Sequence, residues 1–168
     1  MVILLEELHA KKKYRLETLF LAVSLADRYL IHLTLLGVKA PCLVLLAATC
    51  LIIAAKFGQP LKPKFELISN ILESDYKVSV RKSEFTELEC NILLSLQFDI
   101  RFVSPIPFLE RFQRIFDYDR EHEDYCSWKV GMLARDFCYF MQREVKFLQF
   151  RPSQIAAASL VLAVKTHY

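Results

Sequence analysis

Residues 40–55 carry no charged side chain, and the first charge beyond them is Lys56. A helix formed by such a segment is apolar all round and has to be enclosed by other parts of the chain. A lone ammonium cannot be enclosed in the same way, so Lys56 is expected to mark the point where a core helix surfaces. The segment is sixteen residues long, short of the ~20 needed to cross a bilayer. Ala47, Ala48, Thr49, Ala54 and Ala55 are small enough to let neighbouring helices approach closely. The reading is a buried helix of a globular domain, with no membrane partner.

The rest of the composition narrows the chemistry. The chain has 168 residues, 54% of them hydrophobic, enough for one large or two small cored domains. Three glycines, Gly37, Gly58 and Gly131, lie far apart, which excludes a dinucleotide fingerprint and a P-loop. A net charge of +3, with 22 basic residues interleaved among 19 acidic ones, gives no strong field for nucleic acid. Cys42, Cys50, Cys90, Cys126 and Cys138 are odd in number and lack C-x-x-C spacing. They read as reduced core residues of an intracellular protein. The apolar opening at Met1 has no basic residue before it and runs into Glu6 and Glu7, unlike a secretory signal. The nucleus, the cytoplasm or both are the expected location.

Almost every segment has helical period. Leu16, Leu19, Phe20, Val23, Ala26 and Leu30 follow the i, i+3, i+4, i+7 rule, with Glu17 in the first turn. Pro41 suits the first turn of the following helix, which should stop near Gly58 ahead of Pro60 and Pro63. A short helix is expected over 67–72. Another, capped by Ser79 or Ser83, should bury Phe85, Leu88, Ile92, Leu93 and Leu96. With the opening segment this makes five helices in about a hundred residues.

The pattern then starts again. Pro105 and Pro107 open a helix through Phe116, a charged loop covers 117–124, a long helix is expected over 127–147, and Pro152 opens the last. Residues 155–165 overlay 46–56 at a constant offset, with alanine, leucine and lysine in register. Such a period describes a duplicated helical domain rather than a solenoid. Met1 starts inside an apolar run and Tyr168 directly follows a helix. The expectation is a truncated first helix and a second fold whose apolar surface is partly uncovered.

Three of these segments carry a family resemblance. Glu17-Thr-Leu-Phe-Leu-Ala-Val with Asp27-Arg-Tyr-Leu resembles the second helix of a cyclin box; residues 45–57, closing on Lys56-Phe57, resemble its third; and residues 87–99, closing on Leu96-Gln-Phe-Asp, resemble its fifth. The resemblance implies an all-α, cyclin-like fold. Residues 1–100 would form the N-terminal five-helix box, and 101–168 part of a C-terminal cyclin fold.

Cyclins have no active site of their own. They bind a cyclin-dependent kinase and press its mobile helix inward. Carried over position by position, the resemblance implies that Lys56 and Glu89 hydrogen-bond kinase backbone, and that Ile53, Phe57, Leu93 and Ile100 line a pocket for an apolar kinase side chain. It gives Asp27 a structural role, paired in the family with an arginine that would here precede Met1. The family's docking patch for substrate motifs reads Leu4 and Val44 here, so such docking is not expected. Gly58-Gln59 replaces a pair of glutamates, a change expected to bear on kinase choice.

Plainer readings stand beside these. A lysine at a helix C-terminus commonly complements the helix dipole, a glutamate on an amphipathic helix is commonly solvated, and Ile53, Leu93 and Ile100 at helical spacing are ordinary core candidates. Lys11, Lys12 and Lys13 read as a solvated helix end. The 117–124 loop has a calcium-like charge pattern, but His122 and Trp128 stand where glycine and glutamate are required. No nucleophile–base pair or metal spacing can be assembled, so no cofactor, metal or small-molecule substrate is expected. Two other functions remain open: a general-transcription-factor-like cyclin fold binding DNA, and a scaffold that does not activate a kinase.

Overall fold

The computed structural model describes residues 1–60, 63–118 and 125–167, with the side chains of 116–118 and 125–127 excepted. Among the described residues the chain is all-α and forms two compact units that divide between Phe102 and Val103.

The first unit contains α1 (Val2–Lys12), α2 (Leu16–Leu35), α3 (Leu43–Gly58), α4 (Phe65–Tyr76) and α5 (Lys82–Ser95). α3 is the uncharged segment, and it packs against each of the other four. Every residue from Leu46 to Ala55 is buried, as a helix apolar on all sides requires. Pro41 stands just before the N-cap residue Cys42, not in the first turn, where it ends the preceding loop instead of opening the helix. α2 is long and apolar enough to span a membrane by length and composition, but more than half of its apolar window is buried inside this unit. Its C-terminus is closed by Gly37 at φ 67°, with the Gly37 N–H donating to the Thr34 carbonyl and the Val38 N–H to the Leu33 carbonyl. A glycine is favoured there because a Cβ is strained in the left-handed region.

α4 is longer than its apolar core, Ile68 and Leu72, suggests. α5 is capped by neither serine. Its N-cap is Arg81, whose backbone N–H donates to Glu84 Oε2 at 3.2 Å while its guanidinium donates to Oε1. This is the acidic half of a capping box, which sets the helix start without a hydroxyl. Phe85, Leu88, Ile92 and Leu96 are buried as the spacing predicts, whereas Leu93 is half-buried.

The lysine run is only partly solvated. Lys11 pairs with Asp75, and Lys12 Nζ donates to the Leu67 carbonyl at 3.0 Å, so two of the three lysines fasten α1 to α4.

The second unit contains α6 (Ile106–Tyr118), α7 (Tyr125–Met141), a 3-10 turn (Val145–Gln149) and α8 (Pro152–His167). Pro152 is the first residue of α8, where its missing N–H costs nothing. The helix expected over 127–147 ends instead at Met141, and the chain reverses through the 3-10 turn. Most of the charged 117–124 loop lies outside the described residues. Cys50 and Cys138 are buried, but Cys42 and Cys90 are exposed, so the cysteines are not uniformly core.

Candidate functional site

The site begins with the way α3 ends. Its last turn leaves the enclosure of the bundle, and Lys56 emerges where the unpaired carbonyls of a helix C-terminus favour a cation. Glu89 comes from the middle of α5, which packs against α3. The Lys56 ammonium donates to both carboxylate oxygens, at 2.5 Å to Oε1 and 2.8 Å to Oε2. Residues 33 positions apart are thus joined at the surface. The lysine side chain is 46% exposed and the glutamate 15%.

Such a pair contributes little to stability, typically ~0–1 kcal/mol. Its chemical value lies in what remains unsatisfied. An ammonium has three N–H donors and a carboxylate several acceptor sites, so the pair can still donate to a carbonyl and accept from an N–H. That is the requirement for gripping a polypeptide backbone from the side.

The segments that carry the pair also carry apolar residues. Phe57 follows Lys56 directly and is 62% exposed, while Ile53, one turn earlier, is 3% exposed and belongs to the core. Leu93 lies one turn beyond Glu89 on α5, half-buried, and Ile100 is half-buried just past the helix. The structure therefore brings Lys56 and Glu89 into contact and presents Phe57, Leu93 and Ile100 at least in part, with Ile53 beneath the surface.

Phe98, just past the end of α5, is a further exposed aromatic residue that sequence reasoning did not single out. It is 64% exposed. Gln97 and Phe98 both lie in the left-handed region, at φ 52° and 56°, with the Phe98 N–H donating to the Leu93 carbonyl at 2.8 Å and the Gln97 N–H to Leu94. The motif is a helix stop of the kind usually built with glycine. Two side chains held there cost roughly 1–2 kcal/mol each, and such outliers gather at functional sites.

Gln59 turns inward. Its Nε2 donates to Oγ1 of the buried Thr18 at 2.6 Å, fixing the end of α3 to the start of α2. Asp27, on α2, is half-buried, and loss of solvent raises its carboxyl above the usual value, with the Met1 α-ammonium acting in the opposite direction. Cys50 lies within Coulombic reach of Asp27, and burial first, then that carboxylate, pushes its thiol up. Among the described residues no group of three or more His, Cys, Asp or Glu is placed to hold a metal ion.

Comparison with known proteins supplies the family. The model of the cyclin N-terminal domain matches residues 1–101, and that of the cyclin C-terminal domain matches 103–167. The chain is 35% identical over 152 residues to the G2/mitotic-specific cyclin-B3 of Mus musculus, covering 88% of this chain and 10% of the relative. It is 34% identical over 148 residues to that of Gallus gallus, covering 88% and 33%. With the S-phase entry cyclin-5 of Saccharomyces cerevisiae it shares 31% identity over 159 residues, 95% of this chain and 29% of the relative. The chain thus spans a third or less of the length of these relatives. With both cyclin domain models matched in chain order over an all-α architecture, the chain belongs to the cyclin family.

Proposed function

We propose that this chain is the kinase-binding part of a regulatory subunit that binds and activates a cyclin-dependent protein kinase in cell-cycle control, in the nucleus, the cytoplasm or both. The observation that carries the reading is the Lys56–Glu89 pair, formed at the surface where α3 leaves the core, with Phe57 exposed and Leu93 and Ile100 half-buried on the segments that carry it. A kinase helix laid along α3 and α5 would bury apolar side chains for affinity. The ion pair would fix its register through backbone hydrogen bonds. Activation is then a population shift, since a partner that binds the active kinase conformation more tightly raises its share. The cell-cycle assignment is supported by the G2/mitotic and S-phase designations of the relatives.

Charge reversal tests this. Lys56→Glu and Glu89→Lys should each abolish capture of a cyclin-dependent kinase in a pull-down, and with it any rise in kinase activity toward a peptide substrate. Helix content by circular dichroism should not change, because the pair contributes little to folding. Full binding by both variants would overturn the interface. Binding that persists without any rise in activity would replace activation by scaffolding.

A further inference from the structure

A second cluster lies away from the α3–α5 site, where α1 meets α4. Tyr76 is the last residue of α4, and its phenol donates to Glu7 Oε2 at 2.5 Å. Lys11, one turn beyond Glu7, pairs with Asp75 and stands over the Tyr76 ring, 5.7 Å from its centroid. Lys12 adds its bond to the Leu67 carbonyl. The C-terminal half of α1 is thus held on α4 by long side chains at both ends of that helix, with Glu7 and Lys11 at the Tyr76 phenol. That phenol is a proton donor at neutral pH: burial, followed by the Glu7 carboxylate, pushes it up to about 12.

The same tyrosine is placed for modification. Glu73, Ser74, Asp75 and Lys77 are all exposed, and α4 ends at Tyr76 in a left-handed Lys77 followed by a connector without helix. Fraying one turn would present an extended strand with acidic side chains three residues and one residue before the tyrosine, the pattern that acid-selecting tyrosine kinases accept. Among the other tyrosines whose side chains are described, Tyr14 follows three lysines, Tyr29 is buried and Tyr139 sits between Cys138 and Phe140.

We propose that Tyr76 is a phosphorylation site for a protein tyrosine kinase, and that a phosphate there releases the C-terminal half of α1 from α4. The phenol oxygen attacks the γ-phosphorus of a nucleoside triphosphate; the bond to the bridging oxygen breaks, nucleoside diphosphate leaves, and the phenolic proton passes to a base of the modifying enzyme. The product replaces the donor to Glu7 with a group of about −2 charge. Phosphate, Glu7 and Asp75 then share Lys11, an excess of like charge where a hydrogen bond had been.

The test treats the purified chain with an acid-selecting tyrosine kinase and ATP, maps the phosphate by tandem mass spectrometry, and follows amide hydrogen exchange. The expected result is phosphate on Tyr76, none at that position in Tyr76→Phe, and exchange in the C-terminal half of α1 accelerated about tenfold, the loss expected for one charge-assisted hydrogen bond. In Glu7→Gln the amide can donate to the phosphate, so the acceleration should largely disappear. Phosphate found only at Tyr118 or Tyr125, which also follow acidic residues, would overturn the site. Unchanged α1 exchange after stoichiometric modification, or equal acceleration in Glu7→Gln, would overturn the release.

Discussion

The two helices of the internal repeat, α3 and α8, share a sequence register but not a surroundings. Ala47, Cys50, Leu51 and Ala54 are buried in α3, and so are their counterparts Ala156, Ser159, Leu160 and Ala163 in α8. On the other face the two part. Ile52 and Ile53 are 1% and 3% exposed, whereas Val161 and Leu162 are 54% and 44% exposed. α3 has four helices around it, while α8 packs against α6 and α7. The helix's own residues decide which face is indispensable, and the neighbours decide whether the opposite face is core or surface. Lys56 and Lys165 also diverge: both are exposed, but among the described residues only the first is paired with a carboxylate, that of Glu89 on α5.

The largest effect should come from truncating the face on which the helices differ. Ile52→Ala removes a fully enclosed side chain and should destabilise its unit by about 2–5 kcal/mol. Val161→Ala, at the matching position, should stay within about 0.5 kcal/mol, as surface changes do. Denaturant unfolding followed by circular dichroism checks the first. Fluorescence of Trp128, the single tryptophan and a member of the second unit, checks the second. Equal losses at both positions would break the comparison, because α8's outer face would then be enclosed in solution.

The repeat and the helix count in the first unit were legible because each rests on a periodic pattern, and the surfacing of Lys56 because a charge-free segment precedes it; the part played by Glu89 came from the family resemblance. An uncharged helix leaves one position for a cation, and an amphipathic α5 places Glu89 at its margin. Three features were hidden for physical reasons. The start of α5 is set by a glutamate reaching back to a backbone N–H, which a search for hydroxyl caps overlooks. The end of α7 has no breaker to mark it, since residues 141–150 contain neither glycine nor proline. The employment of Lys11 and Lys12 depends on Asp75 and Leu67, which only the fold brings near. Phe98 escaped because its exposure follows from a left-handed backbone that phenylalanine seldom adopts.

An intermediate effect is expected at the C-terminal ends of the two helices. α3 is tied to α2 through Gln59 and Thr18, while Thr166 near the end of α8 donates within its own helix, to the Leu162 carbonyl. Gln59→Ala leaves the buried Thr18 hydroxyl without this partner and should destabilise the first unit by about 1–2 kcal/mol. Thr166→Ala, which removes a local bond at an exposed position, should be close to neutral. Matching losses in thermal unfolding would show that the α2–α3 tie has no special weight.

The smallest effect concerns charge beside the inner face that both helices bury. In α3, Cys50 lies within reach of the ionisable Asp27, whereas in α8 its counterpart Ser159 accepts from the Cys138 thiol at 3.3 Å, a neutral pair. Burial raises the Asp27 carboxyl above its ordinary 3.8, so the folded chain keeps a proton that the unfolded chain has already released. Stability contributed by this group is present at acid pH and declines as pH rises through the unfolded and then the folded value. Asp27→Asn cannot titrate. Its stability relative to the parent should therefore improve between about pH 3 and about pH 7, modestly, because the Met1 α-ammonium opposes the shift. A relative stability that worsens over the same interval would mean that Asp27 is held ionised by a cation in the folded state, and that the α2–α3 interface draws strength from charge where α7–α8 does not.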